Sequence, residues 1–159
     1  MPYNTHTHTH KKLQMTKVVY SSCYGGFGLS KEAVQRYWEI KGQQVWIEED
    51  DEFNYHNLLT VWLVSPEERQ KQKSTEEFLA LSMNERIAYN DAYLTQTWSD
   101  SDVVRHDPVL VQVVEELGDK ANGQYAKLAI KEVSGPYRIT EYDGYETVET
   151  PADCDWITP

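Results

Sequence analysis

This sequence predicts an α+β fold: a small mixed sheet, helices packed on it, and an antiparallel hairpin toward the C-terminus. Three observations lead there. Short β-branched and aromatic runs at 17–21 and 44–47 flank a well-capped helical pattern. The stretch 66–98 is mainly helical in pattern, with two internal helix-start signals. Two alternating segments then follow at 127–133 and 137–142. Size agrees with one domain: the chain has 159 residues, and 40% of them are hydrophobic, enough to build a core. We assign residues 15–159 to that domain. Residues 1–14 (MPYNTHTHTHKKLQ) lack any hydrophobic period and read as a flexible, polar, His-rich tail, with Met15 resembling a second start. His6, His8 and His10 alternate there, and alternate side chains of an extended chain point the same way. A polar tail remains the simpler expectation, and no metal site is assigned.

The elements are justified in order. KVVYS (17–21) is β-branched and aromatic, hence a strand. The glycine-rich turn CYGGFGL (23–29) leads to Ser30, an N-cap, with Glu32 placed where the helix dipole favours an acid. Ala33, Val34, Tyr37 and Trp38 recur at helical spacing and should face the core, and Gly42 stops the helix. QVWI (44–47) resumes strand character, and EEDDE (48–52) reads as a solvated acidic loop. LLTVWLV (58–64) is a buried strand or a short helix, since so few residues carry no decisive period. Pro66 opens a polar helical turn. Ser74-x-x-Glu77 and Ser82-x-x-Glu85 match the capping box and predict helices over about 75–81 and 83–96. Asp107 and Pro108 begin a helix that is apolar almost all round, so it should be buried, and Gly118 ends it. KLAIKEV and YRITEY alternate on either side of Ser134-Gly135-Pro136, which reads as a hairpin turn, and Asp143-Gly144 is a further turn signal.

Three blocks, KVVYSSCYGGFGLSKEAV, RHDPVLVQVVEELGDKANGQYAKLAIKEV and YRITEYDGYETV, carry a resemblance. Together they resemble a family of small, uncharacterised proteins of tailed phages and bacteria, marked by CYGGFGLS, R-x-D-P…EELG and EYDG in that order. The resemblance covers roughly half of the chain. It implies a phage origin and a fold type, and it brings no reaction with it.

Charge narrows the function. The net charge is -11, from 26 Asp+Glu against 15 Lys+Arg. Such a surface repels phosphate backbones and anionic lipid, so no generic nucleic-acid binding and no membrane association are expected. No apolar run reaches the ~20 residues of a spanning helix. The polar start shows no cleavable signal, and two distant cysteines suit a reducing compartment. With the resemblance, this points to the cytoplasm of a bacterial host, or to the virion.

Two candidate sites emerge. The first is a weak ligand site at Tyr24, Gly25, Gly26, Phe27 and Gly28, supported by Arg105. Glycines allow close backbone approach, and the following helix start offers N–H groups to an anion. Gly26-x-Gly28 echoes a dinucleotide fingerprint, but Lys31 stands where its third glycine belongs, so no cofactor is assigned. Arg105 has two readings, an anion contact or an ion pair with an acid of the C-terminal hairpin. Cys23 as a nucleophile with His106 as its base needs the two side chains side by side; nothing in the sequence brings them together, and no catalytic residue is assigned. The second site is the acidic C-terminal region, which has one basic residue against seven acids from Glu132 onward. Glu141, Asp143, Glu146, Glu149 and Trp156 form its expected docking edge for a basic protein patch. The expected function is that of a non-catalytic phage accessory protein that binds a host or phage macromolecule. The alternatives are a small-molecule or nucleotide binder using the glycine turn, and a structural component of the virion.

Overall fold

The structure, a computed structural model, describes residues 14–50 and 58–154. The His-rich tail up to residue 13, the end of the acidic run and Trp156 lie outside the described residues.

Strand β1 (Thr16–Ser21) leads through the glycine turn to helix α1 (Lys31–Lys41). Ser30 Oγ accepts the Ala33 N–H at 3.1 Å, and Gly42 takes the left-handed φ of 73° that ends the helix. Strands β2 (Trp46–Asp50) and β3 (Leu58–Trp62) pair antiparallel, which resolves LLTVWLV as strand. Helices α2 (Thr75–Leu79) and α3 (Met83–Gln96) start where Ser74 and Ser82 cap them, their hydroxyls accepting the N–H groups of Glu77 and Glu85. Residues 66–74 form a turn and an irregular strap rather than a helix. Two residues of β4 (Thr97–Trp98) then pair with β3. Helix α4 (Pro108–Leu117) is capped by Asp107, which accepts the Val109 N–H at 2.9 Å. Only one side of α4 is buried: Leu110, Val111, Val113 and Val114 turn inward, while Gln112, Glu115 and Glu116 are exposed. Strands β5 (Leu128–Val133), β6 (Arg138–Tyr142) and β7 (Tyr145–Glu149) complete the chain.

The class is α+β, with a C-terminal hairpin. The single mixed sheet is corrected: among the described residues the strands form three small antiparallel sheets, β1–β5, β2–β3–β4 and β6–β7. The hairpin also closes at a different turn. β5 and β6 do not pair across Ser134-Gly135-Pro136, because β5 is taken by β1, in register from Thr16↔Val133 to Ser21↔Leu128. The hairpin is β6–β7, joined at Asp143-Gly144. Both turn residues have positive φ, 49° and 85°, the combination whose twist matches paired strands.

Two clusters hold these layers. The larger unites α1, α4, β1 and the inner face of β2–β3 through Val19, Ala33, Val34, Tyr37, Val61, Leu110 and Val113. The smaller lies on the opposite face of β1–β5, where Val18 and Val133 meet Val148 of β7. Alternation in β1 sends Val19 to the helices and Val18 to the hairpin. By contrast, α2 and α3 contribute no buried residue.

Candidate functional site

The glycine turn is wedged between two other backbones. A Cβ at Gly25 would lie 1.8 Å from the Tyr125 carbonyl oxygen, and one at Gly144 only 2.2 Å from that of Tyr24. No side chain fits in either gap, so both glycines are required by close approach. Cys23 Sγ donates to the Tyr125 carbonyl at 2.9 Å, and Gly123 N–H to that of Gly28 at 2.9 Å. The 122–126 loop therefore grips the turn from one side, and the hairpin tip presses on it from the other.

A cleft of about 470 Å³ opens beside Gly25–Lys31, with Asp100 and Asn122 in its walls. Two of its amides are engaged. Leu29 N–H donates to Asp100 Oδ2 at 2.9 Å, and Ser30 N–H to the Ala121 carbonyl at 2.9 Å. The Asp100 carboxylate thus sits where an anion was to be held. β1 and β2 belong to different sheets, so the strand–helix–strand unit behind a dinucleotide fingerprint is not formed.

Of the two readings of Arg105, the ion pair is the one found. Its guanidinium meets Glu146 with two bonds, Nη1 to Oε1 at 2.7 Å and Nη2 to Oε2 at 2.9 Å. The same group lies 3.5 Å from the Phe27 ring centroid. Glu146 also accepts the Ser21 N–H at 2.8 Å and is only 7% exposed. Arg105 is therefore spent on the protein, and Glu146 is corrected from a docking residue to a buried structural acid. The reason is alternation: Glu146 and Val148 share the inner face of β7. Glu149 is committed too, accepting from Arg138 Nε at 2.9 Å and from Thr140 at 3.2 Å. Glu141, which accepts the Gly144 N–H, and Asp143 remain at the tip.

Cys23 and His106 are not brought together. His106 Nδ1 shares a hydrogen bond with the Tyr137 hydroxyl at 2.6 Å, and Asp107 is occupied by Val109, Lys41 and Tyr37. Among the described residues no group of three or more His, Cys, Asp or Glu is placed to hold a metal.

The two candidate regions instead merge at the surface. Tyr24 of the turn is 67% exposed, and its ring lies 5.3 Å from that of Tyr145. Tyr142 pairs with Tyr145 across the hairpin turn and is 78% exposed. Tyr125, also exposed, belongs to the loop that grips Gly25. The result is a tyrosine patch edged by Glu141 and Asp143. The sequence reading included Tyr24 but missed Tyr125, Tyr142 and Tyr145. Their signal was the count of eleven tyrosines, which carries no positions.

No family model, curated protein or solved structure matches this chain. No described helix is long and apolar enough to cross a membrane.

Proposed function

We propose that this chain is a phage-encoded accessory protein that acts by binding a basic protein partner, without catalysis, in the host cytoplasm. The observation that carries the reading is the tyrosine patch of Tyr24, Tyr142 and Tyr145 at the hairpin tip. Tyrosine gives large contact area at low entropic cost and keeps a polar end for a hydrogen bond, which is why it is enriched at interfaces. Glu141 and Asp143 beside it, and the net charge of -11, favour a basic partner.

The test compares capture from infected-cell lysate by the wild type and by Tyr24→Ala/Tyr142→Ala. Both side chains are exposed, so the variant should fold. A captured protein that is lost with the variant supports the reading; one retained at equal yield overturns it. A second reading, a small molecule in the cleft beside Gly25–Gly28, is favoured by the cleft volume of about 470 Å³. With Asp100 in the wall, such a ligand would be neutral or cationic rather than a nucleotide. Native mass spectrometry of the purified protein distinguishes it by an added mass.

A further inference from the structure

The β2–β3 sheet has two faces. Ile47 and Val61, opposed in register, point into the core. The register pairs Trp46↔Trp62 and Glu48↔Thr60 share the other face. Helices α2 and α3, which together with the strap before them form an arm, face that outer side across a groove of about 630 Å³, within the usual range of ligand sites. Trp62, Phe78, Tyr89 and Tyr93 supply aromatic surface to it. The rings are fixed by each other: Trp62 meets Tyr93 edge to face at 5.5 Å, and Phe78 lies 5.8 Å from Tyr89.

Charge in the groove is largely answered from within. Glu48 accepts from Trp62 Nε1 at 3.1 Å and pairs with Arg69, whose guanidinium stacks 4.4 Å over the Trp62 ring. Glu49 pairs with Lys31 at 2.8 Å. Lys73 at the rim opposes a cationic guest, and the net charge of -11 opposes an anionic one. Hydrogen-bonding capacity is left over instead. Among the described residues, the side chains of Thr60, Gln72, Thr75 and Asn90 line the groove and make no hydrogen bond within the protein.

We propose that this groove is a binding site for a neutral carbohydrate. Its guest must be uncharged, must offer an apolar face to aromatic rings, and must both donate and accept hydrogen bonds along its edge. A sugar ring meets all three demands: its C–H face packs on aromatic surface, and each hydroxyl is donor and acceptor. A peptide meets them less well. The groove lies on the face of the sheet, so a strand added along the free edge of β2 would not fill it, and a proline-rich segment lacks the N–H donors that amide and hydroxyl oxygens require. The inference is independent of the tyrosine patch, which lies on other elements.

The test is calorimetric titration of the full chain with maltotriose, lactose and chitotriose, with arginine methyl ester and a proline-rich decapeptide as controls. At least one sugar should bind with a dissociation constant below about 10 mM, a free energy of a few kcal/mol being enough. Asn90→Ala should weaken binding severalfold without changing the melting temperature, because the residue is exposed. Tyr93→Ala should weaken it by about tenfold or more. Sugar binding unaffected by both variants overturns the proposal, as does absence of binding by all three sugars. Binding of the controls alone also overturns it.

Discussion

Glu146 and Arg105 show how one ion pair can tie four segments together. The pair joins the approach to α4, the end of β1, the glycine turn and β7. Removing one partner strands a buried charge, so Glu146→Gln is expected to cost about 3 kcal/mol in urea unfolding. Arg105→Met combined with Glu146→Leu should recover much of that loss, because no uncompensated charge remains. Gly25 gives a second residue-scale test. Gly25→Ala forces a methyl group into the Tyr125 carbonyl and should cost on the order of 1–3 kcal/mol. Gly42→Ala meets open space and strains only the dihedral, at about 1 kcal/mol. The sequence showed that the turn needs glycine, since three glycines lie within four residues. It did not show why Gly25 does, because the obstructing atom belongs to Tyr125. Glu146 was illegible for the same reason. An acid among acids reads as surface until its inward-facing strand position and its arginine are known.

At the scale of elements, α1 and α4 are joined by their ends. The Tyr37 hydroxyl donates to Asp107 at 2.7 Å, and Lys41 lies 3.2 Å from the same carboxylate. Burial alone would raise the Asp107 pKa. The Tyr37 hydroxyl, the Val109 N–H and Lys41 outweigh it and hold the carboxyl below its ordinary value. Burial, followed by this hydrogen bond, pushes the Tyr37 phenol far above its usual range, so it stays a donor at any ordinary pH. A folded pKa below the unfolded one stabilises above the unfolded value, and that contribution is lost as pH falls through the folded one. Asp107→Asn should therefore lower stability at neutral pH and flatten the acid limb of a melting-temperature profile below about pH 4. If both proteins lose stability in parallel, the linkage assigned to Asp107 is wrong. Helix boundaries were legible because Ser30, Ser74, Ser82 and Asp107 act locally. Strand partners were not. Nothing near KLAIKEV says that it pairs with a strand at the other end of the domain. The Asp143-Gly144 signal was read, but Ser134-Gly135-Pro136 looked equally able to close a hairpin.

Across the whole molecule, burial is uneven. The core joins α1, α4, β1 and the inner face of β2–β3, while α2 and α3 bury no residue. Local opening follows buried contact, so amides of α3 should exchange with solvent orders of magnitude faster than those of α4 under native conditions. Comparable protection in the two helices would mean that the arm and core open as one unit. The groove depends on this arrangement, since its aromatic rings come from both β3 and the arm. In the sequence its aromatics, Trp62, Phe78, Tyr89 and Tyr93, are spread from position 62 to position 93 with nothing to join them. Only the β2–β3 register shows that Trp62 and Glu48 lie near one another on the outer face. The tyrosine patch was hidden in the same way, assembled by backbone contacts between the turn, the 122–126 loop and the hairpin tip.

The pairing of β1 with β5 also sets a timetable for synthesis. Ser21 and Lys127, which are hydrogen-bonded at the end of that ladder, are 106 residues apart. At roughly 5–20 residues per second, the ribosome needs about 5–20 s to make the chain between them. Throughout that interval Lys17–Ser21 is a β-prone segment without its partner, and Val18 lacks the cover that Val133 and Val148 later give it. Stickiness of the nascent chain, rather than weakness of the finished fold, is then the expected limit on yield. Slower growth at lower temperature, or a chaperone that holds extended apolar segments, should raise the soluble fraction. Substitutions that strengthen the finished β1–β5 ladder should leave it unchanged.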